Sequence, residues 1–136
     1  MDAPEKAQPH SEKNDNINNL IDKYKQIIQT DPKNLEILSN LGACYASLNK
    51  FKEASEIFNK ILEQNPKNLD ALNNLGVIYT QTGRFEEAIS KLEIAVKLKP
   101  DIAKLWSNLS ETYRRSGNYH KANICRMRVI QLTEKK

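Results

Sequence analysis

Cysteine is scarce in this chain of 136 residues, and its two copies, Cys44 and Cys125, share no Cys-x-x-Cys spacing. Two thiols so placed exclude a disulfide framework, and both are expected to be buried small apolar residues. With four glycines, five prolines and 7% aromatics, the sequence fits neither a collagenous or low-complexity chain nor a β-rich sandwich. Histidine appears only as His10 and His120, with no cysteine or carboxylate at metal-ligand spacing beside either. Phosphate loops, nucleophile elbows and His-Glu-x-x-His are missing too. The expectation is therefore a non-catalytic chain with no cofactor and no metal. No apolar run approaches the roughly 20 residues of a membrane span, and the first residues carry no secretory pattern. That predicts a soluble, cytoplasmic protein.

What is present is a composition suited to helices, with 39% hydrophobic residues, enough for one domain with a core. The net charge of +4 is local: residues 103–136 hold eight Lys and Arg against two acids, whereas each earlier 34-residue segment is within one charge of neutral.

Three prolines, Pro32, Pro66 and Pro100, stand 34 residues apart. They divide the chain into units 35–68, 69–102 and 103–136. Position 4 of the units holds Leu38, Leu72 and Trp106, position 7 holds Leu41, Leu75 and Leu109, and position 11 holds Tyr45, Tyr79 and Tyr113. The spacing i, i+3, i+7 marks one face of a helix. A second helix opens at position 17 with Phe51, Phe85 and Tyr119, and places Ala54, Ala88 and Ala122 at position 20 and Ile61, Ala95 and Val129 at position 27. Between the two helices, Asn49, Gly83 and Gly117 are the types that tolerate a left-handed backbone. Asn34 and Asn68 are suited to cap the helices that follow them, and Glu36 and Asp70 to sit in their positive first turns.

Leu-x-x-Leu-Gly-x-x-Tyr, then Ala-x-x-x-Phe and a closing Pro, resembles the tetratricopeptide repeat pattern in length and order. The resemblance covers roughly residues 15–136 and is closest in the second unit, with Leu75, Gly76, Tyr79, Ala88, Ala95 and Pro100. It implies an all-α, right-handed superhelical solenoid of antiparallel helix hairpins: three units plus one N-terminal helix, 14–31, in a domain spanning 14–136. Residues 1–13, polar and holding Pro4 and Pro9, are expected to be a disordered tail. Leu20 takes a slot that is Ala elsewhere, as if no partner helix crowded it. The third unit departs from the pattern. Ser110 replaces Gly, Glu134 falls where Pro would be, and Arg126 stands where earlier units have Phe58 and Leu92, which is expected of a polar cap closing the array.

The resemblance also implies that the first helix of each unit lines a concave groove. The residues expected to bind there are Asn40, Asn73, Asn74, Val77, Gln81, Lys104, Asn108, Glu111, Arg114 and Arg115. Asn40, Asn74 and Asn108 recur at one position, and their amides could form a ladder for a peptide backbone, similar to that in the repeat region of O-linked N-acetylglucosamine transferases. They also fit simple family usage of Asn there. The five-residue dicarboxylate clamp of some members is matched only by Asn74 and Lys104. Lys104, Arg114 and Arg115 suit an acidic peptide, or are a solvated end; nucleic acid is disfavoured, because the aromatics fall at core positions. The expected partner is a protein or peptide. The alternative is an assembly module, a monomer or weak homo-oligomer docking through end residues Ile17, Tyr24, Met127 and Ile130.

Overall fold

A computed structural model describes residues 9–134, and the residues described are seven helices joined by short turns, with no strand among them. These are α1 (Pro9–Thr30), α2 (Leu35–Ser47), α3 (Phe51–Gln64), α4 (Leu69–Gln81), α5 (Phe85–Leu98), α6 (Ala103–Ser116) and α7 (Tyr119–Glu134). The first helix of each predicted unit begins on the unit's first residue. α1 starts earlier than expected and takes in residues 9–13, assigned above to the tail. Proline suits a first helical position, where no N–H is needed, and Glu12 adds an acid to the positive first turn. The rest of the expected tail, residues 1–8, lies outside the described residues.

The turns follow the sequence chemistry. Asn34 Oδ1 accepts from the Ile37 N–H at 3.1 Å and Asn68 Oδ1 from the Ala71 N–H at 2.9 Å, so both asparagines cap their helices. Position 15 has positive φ in every unit, +59° at Asn49, +80° at Gly83 and +91° at Gly117. Asn118 adds a cap that was not anticipated, accepting from the Lys121 N–H at 3.1 Å.

The helices form two compact units divided inside α3, between Ile57 and Phe58. In the first, α1 packs on α2. Ile21, Leu38, Leu41 and Tyr45 are buried there, while Leu20 is 41% exposed, in keeping with its uncrowded slot.

In the second unit α4 packs on α5, α5 on α6, α6 on α7, and α4 also touches α6. Phe58, Ile61, Leu72, Leu75 and Leu92 are fully buried, each worth about 1.5–3 kcal/mol relative to exposure. Ala88 is fully buried and Ala122 nearly so, their small side chains leaving room for the neighbouring helix. Gly76 has the same role: a Cβ on it would stand 2.6 Å from Leu92 Cδ2 and closer still to Leu92 Cγ.

Three core expectations need correction. Cys125 is buried, but Cys44 is only half-buried. Tyr119 is 65% exposed, whereas Phe51 and Phe85, which open their helices in the same way, are half-buried; no described element covers Tyr119. Trp106 is half-buried, with its indole N–H donating to the Pro100 carbonyl at 2.8 Å. Arg126 is exposed, so its charge stays in water.

One tie recurs that the periodicity did not reveal. The position-11 tyrosine meets the residue 20 places before it. Lys25 Nζ lies 5.8 Å from the centre of the Tyr45 ring, Asn59 Nδ2 donates to the Tyr79 hydroxyl at 3.2 Å, and the Tyr113 hydroxyl donates to Glu93 Oε1. The partner's chemistry changes from cation to amide to carboxylate along the chain.

Candidate functional site

The contact between α4 and α6 places one face of each helix along a common seam. Val77 and Gln81 are one turn apart on α4, and Asn108, Glu111 and Arg115 follow i, i+3, i+7 on α6, so each set shares a face. Together with Thr80 and Thr112 they line a pocket of about 100 Å³, room for about three waters or the tip of a side chain. Five of the predicted groove residues thus converge.

The floor of the seam is polar and fixed. Asn108 Nδ2 donates to Asn73 Oδ1 at 2.8 Å, bringing one more predicted residue, Asn73, to the seam across the helices. Beside them the hydroxyls of Thr80 and Thr112, 6% and 1% exposed, lie 2.7 Å apart. Each is also 2.8 Å from a carbonyl of its own helix, Gly76 for Thr80 and Asn108 for Thr112. Two hydroxyl protons serve three contacts, so one threonine donates to its neighbour and the other to its backbone. Among the described residues no buried side-chain nitrogen or oxygen lacks a partner. Sequence reasoning missed this threonine pair. The two stand 32 residues apart, two short of the repeat, so aligning the units never places them together; the signal is a polar residue on the core side of each helix.

Charge sits at one end of the seam. Arg114 grips Glu111 through Nε at 2.9 Å and Nη2 at 2.6 Å, and this pairing holds the Glu111 carboxyl below its ordinary range. The Arg115 guanidinium lies 6.0 Å from the centre of the Phe85 ring. Lys104 does not join them: it lies eleven residues before Arg115, about 16 Å along α6 at 1.5 Å per residue, so the basic residues are not one cluster. Asn74 donates to the Asp70 carbonyl of its own helix at 2.8 Å, and the cross-helix partner of Asn108 is Asn73. Asn40 belongs to α2, in the other compact unit.

Among the described residues no three His, Cys, Asp or Glu side chains come together as metal ligands, and no helix is long and apolar enough to cross a membrane. What the seam offers chemically is a set of fixed amides and a guanidinium above a buried hydroxyl pair, suited to hydrogen-bonding a ligand.

Comparison with known proteins agrees with the repeat. No curated protein matches the chain in sequence. Among solved structures, it is similar to MamA of AMB-1, at 27% identity and a TM-score of 0.75 over 85% of this chain and 63% of that one. MamA of MSR-1 is similar at 27% identity and a TM-score of 0.78, over 90% and 71% of the two chains. MamA 41-end from Desulfovibrio magneticus RS-1 shares the fold, with a TM-score of 0.83 at 18% identity over 89% and 70%. The chain therefore spans a little under two thirds of the length of the AMB-1 protein. Tetratricopeptide repeat models match residues 21–75, 50–101 and 81–122, so more than half of the sequence is accounted for and the chain belongs to the tetratricopeptide repeat family.

Proposed function

We propose that this protein-interaction scaffold binds an extended peptide of a partner protein along the α4–α6 seam and carries out no chemistry on it. The observation that carries the reading is the Asn73–Asn108 pair. Each amide is oriented by the other, yet Asn108 Oδ1 and the Asn73 N–H groups are left to meet the alternating donors and acceptors of an extended backbone. Arg115 in the same pocket favours an acidic side chain on the ligand. Affinities near micromolar, about −8 kcal/mol, are expected. The test is selection of random linear peptides on the protein, followed by titration against Asn108→Ala and Arg115→Ala. A loss of about tenfold or more in either supports the reading; unchanged affinity in both removes it.

A second reading, docking through α7, is favoured by the exposure of Met127 at 54% and Ile130 at 39%. Sedimentation velocity across a concentration series separates self-association, which raises the sedimentation coefficient, from a monomer that does not change.

A further inference from the structure

Opposite the seam face of α6, the residues Trp106, Leu109 and Tyr113 floor a separate cleft of about 570 Å³ between α5 and α7, sharing no lining residue with the α4–α6 pocket. The volume is in the range of ligand sites. Its equivalent one repeat earlier holds only about 300 Å³ and is lined by polar residues.

At four paired lining positions, each 34 residues apart, the two clefts differ: Asn59 becomes Glu93, and three further replacements change the wall and the rim. Ser90 becomes Ile124, Lys91 becomes Cys125, and Glu87 becomes Lys121. Two remove polarity from the wall and the third reverses the charge of the rim. The polar groups that remain are partnered, and the one negative charge among them, Glu93, is outnumbered by two lysines. Glu93 accepts from the Tyr113 hydroxyl, and the indole N–H of Trp106 is held by the Pro100 carbonyl. That leaves the ammonium groups of Lys97 and Lys121 at the rim of an apolar hollow, Lys121 lying 5.6 Å from the Tyr113 ring centre.

The apolar surface does not stop at the cleft. Ile124, 55% exposed at its lip, is followed at i+3 and i+6 on α7 by Met127 and Ile130, 54% and 39% exposed. A strip leading out of a pocket fits a chain segment better than a small amphiphile. We propose that this cleft is a second protein-binding site, which seats the large apolar side chains of an acidic partner segment while its carboxylates meet Lys97 and Lys121.

The protein's single tryptophan is Trp106, so its emission reports on the cleft. Random linear peptides are selected on Asn108→Ala/Arg115→Ala, in which the seam is disabled, and Trp-free clones are titrated against the full chain. Clones with Phe, Leu or Ile flanked by Asp or Glu are expected, shifting Trp106 emission and losing about tenfold or more in affinity in Ile124→Ser and in Lys97→Glu/Lys121→Glu. Ile124 is exposed, so its replacement leaves the fold intact, which far-UV circular dichroism checks. Clones that bind both variants undiminished, or leave Trp106 emission unchanged, overturn the proposal. So does decanoate binding that is sensitive to Ile124→Ser when no such peptide is recovered, since the site would then be one for small amphiphiles.

Discussion

The Tyr113 hydroxyl donates to the Glu93 carboxylate from a ring that is 5% exposed. Burial first, and then the neighbouring carboxylate, push the Tyr113 phenol well above its ordinary value. In the unfolded chain the phenol ionises near pH 10, so the stability that Tyr113 contributes is intact below about pH 10 and declines as pH rises further. Spectrophotometric titration over roughly pH 9–11 should show no phenolate missing in Tyr113→Phe, because Tyr113 does not ionise there. Glu93→Gln, which keeps an acceptor but removes the like charge, should lower the pH at which Tyr113 titrates. Loss of one phenolate's absorbance in Tyr113→Phe would show the assignment to be wrong.

Gly76 and Gly117 should respond differently to alanine. At Gly76 the new methyl collides with Leu92, which is 0% exposed and has no room to yield, so overpacking should cost about 1–3 kcal/mol despite better helix propensity. At Gly117 nothing lies within 4 Å, and the cost is the positive φ alone, about 1–2 kcal/mol. Urea midpoints measure both, and a neutral Gly76→Ala would contradict the close approach of α4 and α5.

Thr80 and Thr112 share a buried hydroxyl contact, so their effects should not add. Replacing either with Val leaves the other hydroxyl buried against a methyl group with no partner for the shared contact, a cost that replacing both removes. A double-mutant cycle should give a coupling of about 0.5–1.5 kcal/mol. Strict additivity would mean that the two hydroxyls do not interact in solution.

The Glu111–Arg114 pair should matter little and fade with acid. Its hydrogen bonds lower the Glu111 pKa from an ordinary 4.5, so its contribution is present above that value and disappears as pH falls through the lower folded value. Both side chains are more than half exposed, and salt should erode the effect as well. The melting-temperature difference between wild type and Glu111→Gln should be small near neutral pH and shrink as the pH is lowered below 4.5. A difference that grows on acidification would reverse the sign of the assignment.

Much of this architecture was legible because a 34-residue period fixes register. Once Pro32, Pro66 and Pro100 were aligned, the starts of α2, α4 and α6 and the left-handed turns at Asn49, Gly83 and Gly117 followed from residue type. Side-chain pairing was harder to read. The Asn108 amide could face Asn73 or Asn74, and which one it meets depends on the angle between α4 and α6, which spacing does not set. The Thr80–Thr112 contact was hidden for the same reason. Tyr119 was misplaced because alignment gives a residue the environment of its counterparts, and at the start of α7 no described element supplies that environment. The enlarged cleft beside Trp106 was missed because attention to shared positions passes over those where units differ.

The most direct test of peptide recognition by the α4–α6 seam is an amide-shift map. Peptides selected on Ile124→Ser, in which the second cleft is altered, are added to isotope-labelled protein. The seam reading predicts the largest shifts at Asn73, Val77, Gln81, Asn108, Glu111 and Arg115. Shifts confined to residues away from α4 and α6, or failure to recover any binding peptide, would contradict it.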